Sequence, residues 1–143
     1  MSWILIIVAL GVTYFLYIGY KGNKDIKNVE KYGGLKIKYN TLIELIMARS
    51  STTRLQQINS NNIRITSTGM MFKLIEIDKK IQITWDWHSF TTGKIHRLVW
   101  KFDENQDQNV MYETIKRDIS IQNLLDDGLT KREAENYLKN INN

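Results

Sequence analysis

The stretch Ile81–Phe102 reads IQITWDWHSFTTGKIHRLVWKF and carries the clearest secondary-structure pattern of the chain. Large apolar side chains recur at every second position of Ile81–His88 and, from Leu98 onward, of Ile95–Phe102. This period of two is typical of β-strands that bury one face. The polar segment Ser89–Lys94 separates the two runs, so the stretch predicts two antiparallel strands joined by a short loop.

The register of these two strands follows from keeping their apolar side chains on one face. A slip of one residue would turn every side chain to the opposite face. The predicted pairs on the apolar face are Ile81–Phe102, Ile83–Trp100, Trp85–Leu98 and Trp87–His96, and those on the polar face are Gln82–Lys101, Thr84–Val99, Asp86–Arg97 and His88–Ile95. The three tryptophans on the apolar face are therefore predicted to lie in a core and not to form an exposed aromatic platform.

Together with the residues on either side, this hairpin predicts an α+β domain over residues 41–119. Ile63–Ser67 and Met71–Ile77 are two further predicted strands, which gives a roughly four-stranded antiparallel meander. Thr41 and Glu44 form a capping box that opens a helix whose buried face would extend as far as Ile58. Residues 50–53, which are all Ser and Thr, weaken its middle, and a break there is the alternative. A second helix is predicted from Val110 to Ile119. A strand with one buried face is predicted from Leu35 to Tyr39, because its apolar residues alternate with period two.

Residues 120–143 predict a C-terminal helical hairpin. Ser120 is the expected start of a short helix, Gly128 is its expected left-handed end, and Thr130 with Glu133 forms a second capping box. Asn123–Ile141 reads NLLDDGLTKREAENYLKNI and resembles small helical-hairpin protein-interaction modules that share the pattern L-x-x-x-G-L-[ST]-x-x-E-A.

We expect this hairpin to contact a partner protein. The side chains predicted to dock are Leu129, Tyr137 and Leu138. The resemblance spans fewer than twenty residues, and it carries no residue roles from those modules to this chain.

The first twenty residues contain no Asp, Glu, Lys, Arg or His. Trp3–Tyr20 would extend about 27 Å as a helix at roughly 1.5 Å per residue, against a hydrocarbon core about 30 Å thick. Trp3 at one end and Tyr17 and Tyr20 at the other are residue types that favour the membrane interface. The sequence therefore predicts an uncleaved transmembrane anchor over residues 1–20.

The lysines that follow are concentrated in residues 21–40, which we predict to be a basic juxtamembrane linker. Its first part, Lys21–Tyr32, can continue as a helix that Gly33 and Gly34 would end. Six lysines stand there against Asp25 and Glu30, whereas 14 Lys and Arg stand against 13 Asp and Glu from Thr41 onward. Because the excess charge is not on the domain, no nucleic-acid partner is expected. The side chains predicted to contact anionic lipid are Lys21, Lys24, Lys27 and Lys31.

The same asymmetry predicts an orientation. Positive charge favours the cytosolic side of a membrane span, so we expect Met1 outside and the C-terminal domain in the cytosol. The lipid bilayer is then the first predicted partner, and a bacterial inner membrane is the expected location.

Candidate catalytic and metal-binding groups are few. Asp86, His88 and Arg97 share the polar face of the predicted hairpin, but residues two apart on a strand are separated by about 7 Å. This spacing favours a surface charge cluster over an acid–base pair. His88 and His96 are predicted on opposite faces, which excludes them as a metal-binding pair.

A calcium site and thiol chemistry are also not expected. Asp103–Asn109 has the alternating Asp and Asn of a calcium-binding loop, but Gln108 and Thr114 stand where that loop needs Gly and a bidentate Glu. The chain has no cysteine. We therefore expect no enzymatic activity, no cofactor and no metal.

These features together predict a single-pass membrane-anchored accessory or assembly subunit. Its small cytosolic domain would make protein–protein contacts with an integral-membrane complex. The alternative is a membrane-tethered module that binds a small ligand or nucleic acid, which exposed tryptophans on the meander would favour.

Overall fold

The computed structural model describes residues 2–90 and 92–141, without the side chains of Ser2 and Leu5. The helices are α1 (Ser2–Glu30), α2 (Leu35–Lys38), α3 (Asn40–Met47), α4 (Gln108–Asp126) and α5 (Lys131–Ile141). The strands are β1 (Arg54–Asn59), β2 (Asn62–Ser67), β3 (Met70–Ile77), β4 (Lys80–His88) and β5 (Ile95–Asp103). The predicted α+β class is confirmed.

The strands form one antiparallel sheet in the order β1-β2-β3-β4-β5. All eight residue pairs predicted between β4 and β5 are present. The sheet has five strands instead of roughly four because β1 occupies residues predicted to be helical. Helix α3 ends at Met47, and in the turn that follows, the Thr53 hydroxyl donates to the carbonyl of Ser50 at 2.7 Å.

The predicted apolar face of the sheet is the core of the domain. Trp85 and Trp100 are buried, and Trp87 is partly buried against them. Residues of α3 and α4 complete this core; the buried ones are Leu42, Ile43, Ile46, Met111, Ile115 and Ile119. The prediction that the tryptophans pack inside is confirmed for Trp85 and Trp100.

The predicted strand over Leu35–Tyr39 is wrong, because these residues form α2 and Tyr39, the residue between α2 and α3. Leu35 and Tyr39 are four residues apart and therefore lie on one helix face, and both are fully buried. Ile37, which the strand pattern placed with them, is exposed. Thus Val29, Leu35 and Tyr39, all within the predicted linker 21–40, belong to the core.

Residues 1–20 were predicted to form a transmembrane helix. The helix that contains residues 2–20, α1, continues ten residues past Tyr20 to Glu30, close to the end that Gly33 and Gly34 predict. Among the residues that the structure describes, no helix combines the length and the apolar character needed to cross a membrane. The transmembrane anchor is therefore not confirmed by the fold.

The C-terminal hairpin forms with one difference from its prediction. Helix α4 runs through Ser120 without a break, and the Ser120 hydroxyl donates to the carbonyl of Lys116 at 2.9 Å instead of capping a new helix. Gly128 has a φ of 94°, as predicted. The second capping box is confirmed, since Glu133 accepts from the backbone N–H of Thr130 at 2.8 Å.

Candidate functional site

A buried carboxylate in β3 organises the junction between α1 and the sheet. Strand alternation places Phe72, Leu74 and Glu76 on the core face, and Glu76 is only 1% exposed. Burying an unpaired carboxylate costs several kcal/mol, on the order of the whole stability of a small domain. Glu76 therefore requires partners from the elements around it.

Four side chains surround Glu76, and together with it they form what we call the Glu76 cluster: Asn28, Lys38, Tyr39 and Glu104. The Lys38 ammonium lies 2.9 Å from Glu76 Oε2 and 2.6 Å from Glu104 Oε2. The Tyr39 hydroxyl donates to Glu76 Oε2 at 3.0 Å, and Asn28 Nδ2 donates to Glu76 Oε1 at 3.1 Å. Both oxygens of Glu76 are therefore hydrogen-bonded.

The backbone of Glu76 is held as tightly as its side chain. Asn61 Nδ2 donates to the Glu76 carbonyl at 2.8 Å, and the Glu76 N–H donates to Asn61 Oδ1 at 3.1 Å. Asn61 lies in the turn between β1 and β2. The cluster thus joins the end of α1, helix α2, strand β3, this turn and the segment after β5.

The pKa shifts in the cluster favour the charged forms of Glu104 and Lys38. The hydrogen bond from Lys38 lowers the pKa of Glu104. Burial by itself lowers the pKa of Lys38, but hydrogen bonds to Glu104 and Glu76 outweigh it and the net pKa is raised. Burial raises the pKa of Tyr39, and the charge of Glu76 raises it further. The cluster is therefore suited to holding elements together and not to transferring protons near neutral pH.

A second contact fixes α1 further toward its N-terminus. Lys21 Nζ lies 2.6 Å from Asp78 Oδ2, and the Asp78 N–H donates to Asp25 Oδ1 at 3.2 Å. Asp78 is in the turn between β3 and β4. Contacts to the sheet therefore extend along α1 from Lys21 to Val29, and this part of the helix belongs to the domain.

The four lysines predicted to contact lipid have different environments in the structure. Lys21 forms the ion pair with Asp78, whereas Lys24, Lys27 and Lys31 are exposed. These three are spaced by three and four residues, which places them on one side of the helix and its end. Lipid contact remains a prediction for all four.

The three predicted docking side chains do not form one surface. Leu129 and Tyr137 line a shallow concavity beside Gly128. Leu138 instead faces Ile121 in a groove of about 620 Å³ between α4 and α5. Tyr137 is 52% exposed, so it is the most accessible large apolar side chain of the three.

The polar face of the hairpin holds an ion pair. Arg97 donates from Nε and Nη2 to the two carboxylate oxygens of Asp86, at 2.6 and 2.9 Å. His88 lies against Phe90, while His96 stacks on Trp87 on the other face. Within residues 2–90 and 92–141, no group of three or more His, Asp or Glu side chains is arranged to hold a metal ion.

Comparison of the chain with known protein families, with curated proteins and with solved structures finds no match. Its function is therefore argued from the chain's own geometry. The Glu76 cluster was missed by sequence reasoning because the core face of β3 was ambiguous: Phe72 and Leu74 competed with Ile75 and Ile77. A glutamate two positions after Leu74 was the available signal.

We expect Lys38→Met to destabilise the protein by about 3–5 kcal/mol, because it leaves the Glu76 carboxylate buried without a cation. Adding Glu76→Gln to this variant should recover part of the loss, since no buried charge then remains at position 76. Lys36→Met, at an exposed position of the same helix, is the control. Chemical denaturation measures these variants and Glu76→Gln alone, and a double variant destabilised by the sum of its two single changes would contradict the coupling.

The cluster also predicts a pH dependence. The lowered pKa of Glu104 gives stability that is present above the ordinary glutamate value of about 4.3 and is lost as pH falls through the lower folded value. The raised pKa of Lys38 gives stability that is present below about 10.4 and is lost as pH rises further. Melting temperatures of the wild type and Glu104→Gln should therefore differ at pH 7 and converge in acid. If the melting temperatures of the two proteins differ by the same amount down to pH 2, Glu104 does not contribute to the pH dependence of stability.

Proposed function

We propose that the protein is a membrane-anchored accessory or assembly subunit, attached to a bilayer through residues 3–20 of α1. The observation that carries the proposal is a change in surface along one helix. From Trp3 to Tyr20 the described side chains are exposed and nearly all apolar, whereas from Lys21 onward the helix docks on the sheet. An exposed apolar surface of this extent is typical of a membrane or protein contact.

The length of the uncharged stretch also supports the proposal. The sequence from Trp3 to Tyr20 is uninterrupted by charge, and a run of about 17–25 apolar residues is the length that crosses a bilayer.

Charge supports an orientation for this arrangement. Lys24, Lys27 and Lys31 lie beyond the apolar stretch and are exposed. Each lysine near an anionic leaflet contributes about 1 kcal/mol of attraction. We therefore place the domain on the cytosolic face of a bacterial inner membrane, with Met1 on the other side.

The partner contact is proposed for the C-terminal hairpin. Helix α5 buries Ala134, while Tyr137 and Ile141 remain exposed. An exposed tyrosine is a side chain that contributes strongly to protein interfaces. We propose an integral-membrane protein as the partner, because the chain itself would be held in the bilayer by residues 3–20 of α1.

The alternative, a tethered module that binds a small ligand or nucleic acid, lacks a supporting observation. It was expected to show exposed tryptophans on the meander. Trp85 and Trp100 are buried in the core, so they offer no stacking surface for bases.

Membrane attachment predicts that two arginines in α1 release the protein from membranes. We expect Val8→Arg/Val12→Arg to move the full chain to the soluble fraction after alkaline extraction, since each arginine at the centre of a span costs about 2.5–3.5 kcal/mol. The control is Val99→Arg/Val110→Arg. Its valines are 50% and 53% exposed, against 56% and 54% for Val8 and Val12. Equal extraction of both variants would refute attachment through α1.

The partner contact predicts loss of a bound protein when the hairpin surface is changed. We expect the tagged full chain, purified from its native membrane in mild detergent, to carry a stoichiometric integral-membrane protein identified by mass spectrometry. Leu129→Ser/Tyr137→Ser should lose it, because apolar contact area is removed. Ile95→Ser, at an exposed apolar site on β5, should retain it. A wild-type protein that purifies alone would refute the subunit role.

A further inference from the structure

We propose that a groove between α1 and β3 binds one acyl chain of a bilayer phospholipid, an inference that rests on the proposed membrane attachment. The groove has a volume of about 360 Å³, within the range of roughly 300–1,000 Å³ typical of ligand pockets. Its apolar walls are four isoleucines: Ile18 and Ile26 from α1, and Ile75 and Ile77 from β3.

The polar groups that line this groove already have partners within the protein. Asn61 is bonded to the backbone of Glu76, and Asn59 Oδ1 accepts from the Asn61 N–H at 2.9 Å. Lys21 and Asp25 are both engaged by Asp78. A ligand would therefore gain chiefly from apolar contact with the isoleucines, and a hydrocarbon chain supplies that contact.

The groove is continuous with the part of α1 that is proposed to lie in the bilayer. Ile18 belongs both to the uncharged stretch that ends at Tyr20 and to the groove wall. Ile77, on the opposite wall, is partly exposed at the end of β3. An acyl chain could therefore pass from the membrane into the groove along Ile18 without leaving an apolar surface.

Two glycines of α1 provide a matched pair of variants. A Cβ at Gly22, which lines the groove, or at Gly19, which does not, would have no neighbouring atom within 4 Å. Gly22→Leu should therefore fold and fill part of the groove, while Gly19→Leu adds the same side chain one turn away. Leucine also favours helix over glycine at both sites.

The test is photocrosslinking of the full chain in vesicles of phosphatidylcholine that carries a diazirine near the end of one acyl chain. After irradiation, proteolysis and mass spectrometry, we expect adducts on residues 3–20 and on the β3 peptide that contains Ile75 and Ile77. Gly22→Leu should reduce the β3 adducts by about tenfold, as expected when roughly two methylenes lose their contacts. Gly19→Leu should leave them unchanged.

The outcomes separate this proposal from membrane attachment. Adducts confined to residues 3–20 would overturn the groove and leave the attachment in place. Equal β3 labelling in Gly22→Leu and the wild type, with matching melting temperatures, would also overturn the groove. No adduct anywhere on the chain would overturn both.

Discussion

The ion pair between Lys38 and Glu76 is the interaction on which the arrangement of this protein depends. Glu76 occupies a core position of β3, and its charge is tolerated because Asn28 of α1 and the consecutive residues Lys38 and Tyr39 supply donors. A buried pair of this kind adds little net stability, since desolvation offsets its attraction. It does penalise every arrangement in which α1 or α2 leaves the sheet, because Glu76 would then lose its partners.

This constraint changes the role of the residues after the apolar stretch. A flexible basic linker would let the domain move away from a membrane, whereas a docked helix holds it in place. Lys21 pairs with Asp78 directly after Tyr20, and successive helical residues advance by only about 1.5 Å. In the proposed arrangement the turns that follow β1 and β3 would therefore lie close to the headgroups. The loop between β4 and β5, at the other end of these strands, would point away from the bilayer.

The sequence predicts the hairpin of β4 and β5 in full, because large apolar side chains at every second position allow only one register. The C-terminal hairpin was predicted by equally local signals, Gly128 and the capping box at Thr130. Residues 35–39 and 54–58 were predicted wrongly, whereas the helix that begins near Thr41 is present as α3. Leu35 and Tyr39 fit both a strand and a helix face, and the choice depends on tertiary contacts such as the bond from the Leu35 N–H to the carbonyl of Ser60.

The Glu76 cluster could not be predicted, because its members are distant in sequence. Asn28, Lys38, Glu76 and Glu104 come together only after the sheet and α1 have taken their positions. No local pattern distinguishes Lys38 from Lys36, although one is buried in an ion cluster and the other is exposed. The register of β3 and the docking of α1 would both have to be known first.

The most direct test of the account is hydrogen exchange of the full chain in lipid vesicles, followed by mass spectrometry of peptides from α1, β3 and β4. Amides that open only with the whole domain share its free energy of unfolding. We expect residues 21–30 of α1 to exchange as slowly as β3 and β4, and we expect Lys38→Met to accelerate the exchange of residues 21–30. Fast exchange of residues 21–30 beside a protected sheet would contradict it, since α1 would then be a mobile linker and not part of the domain.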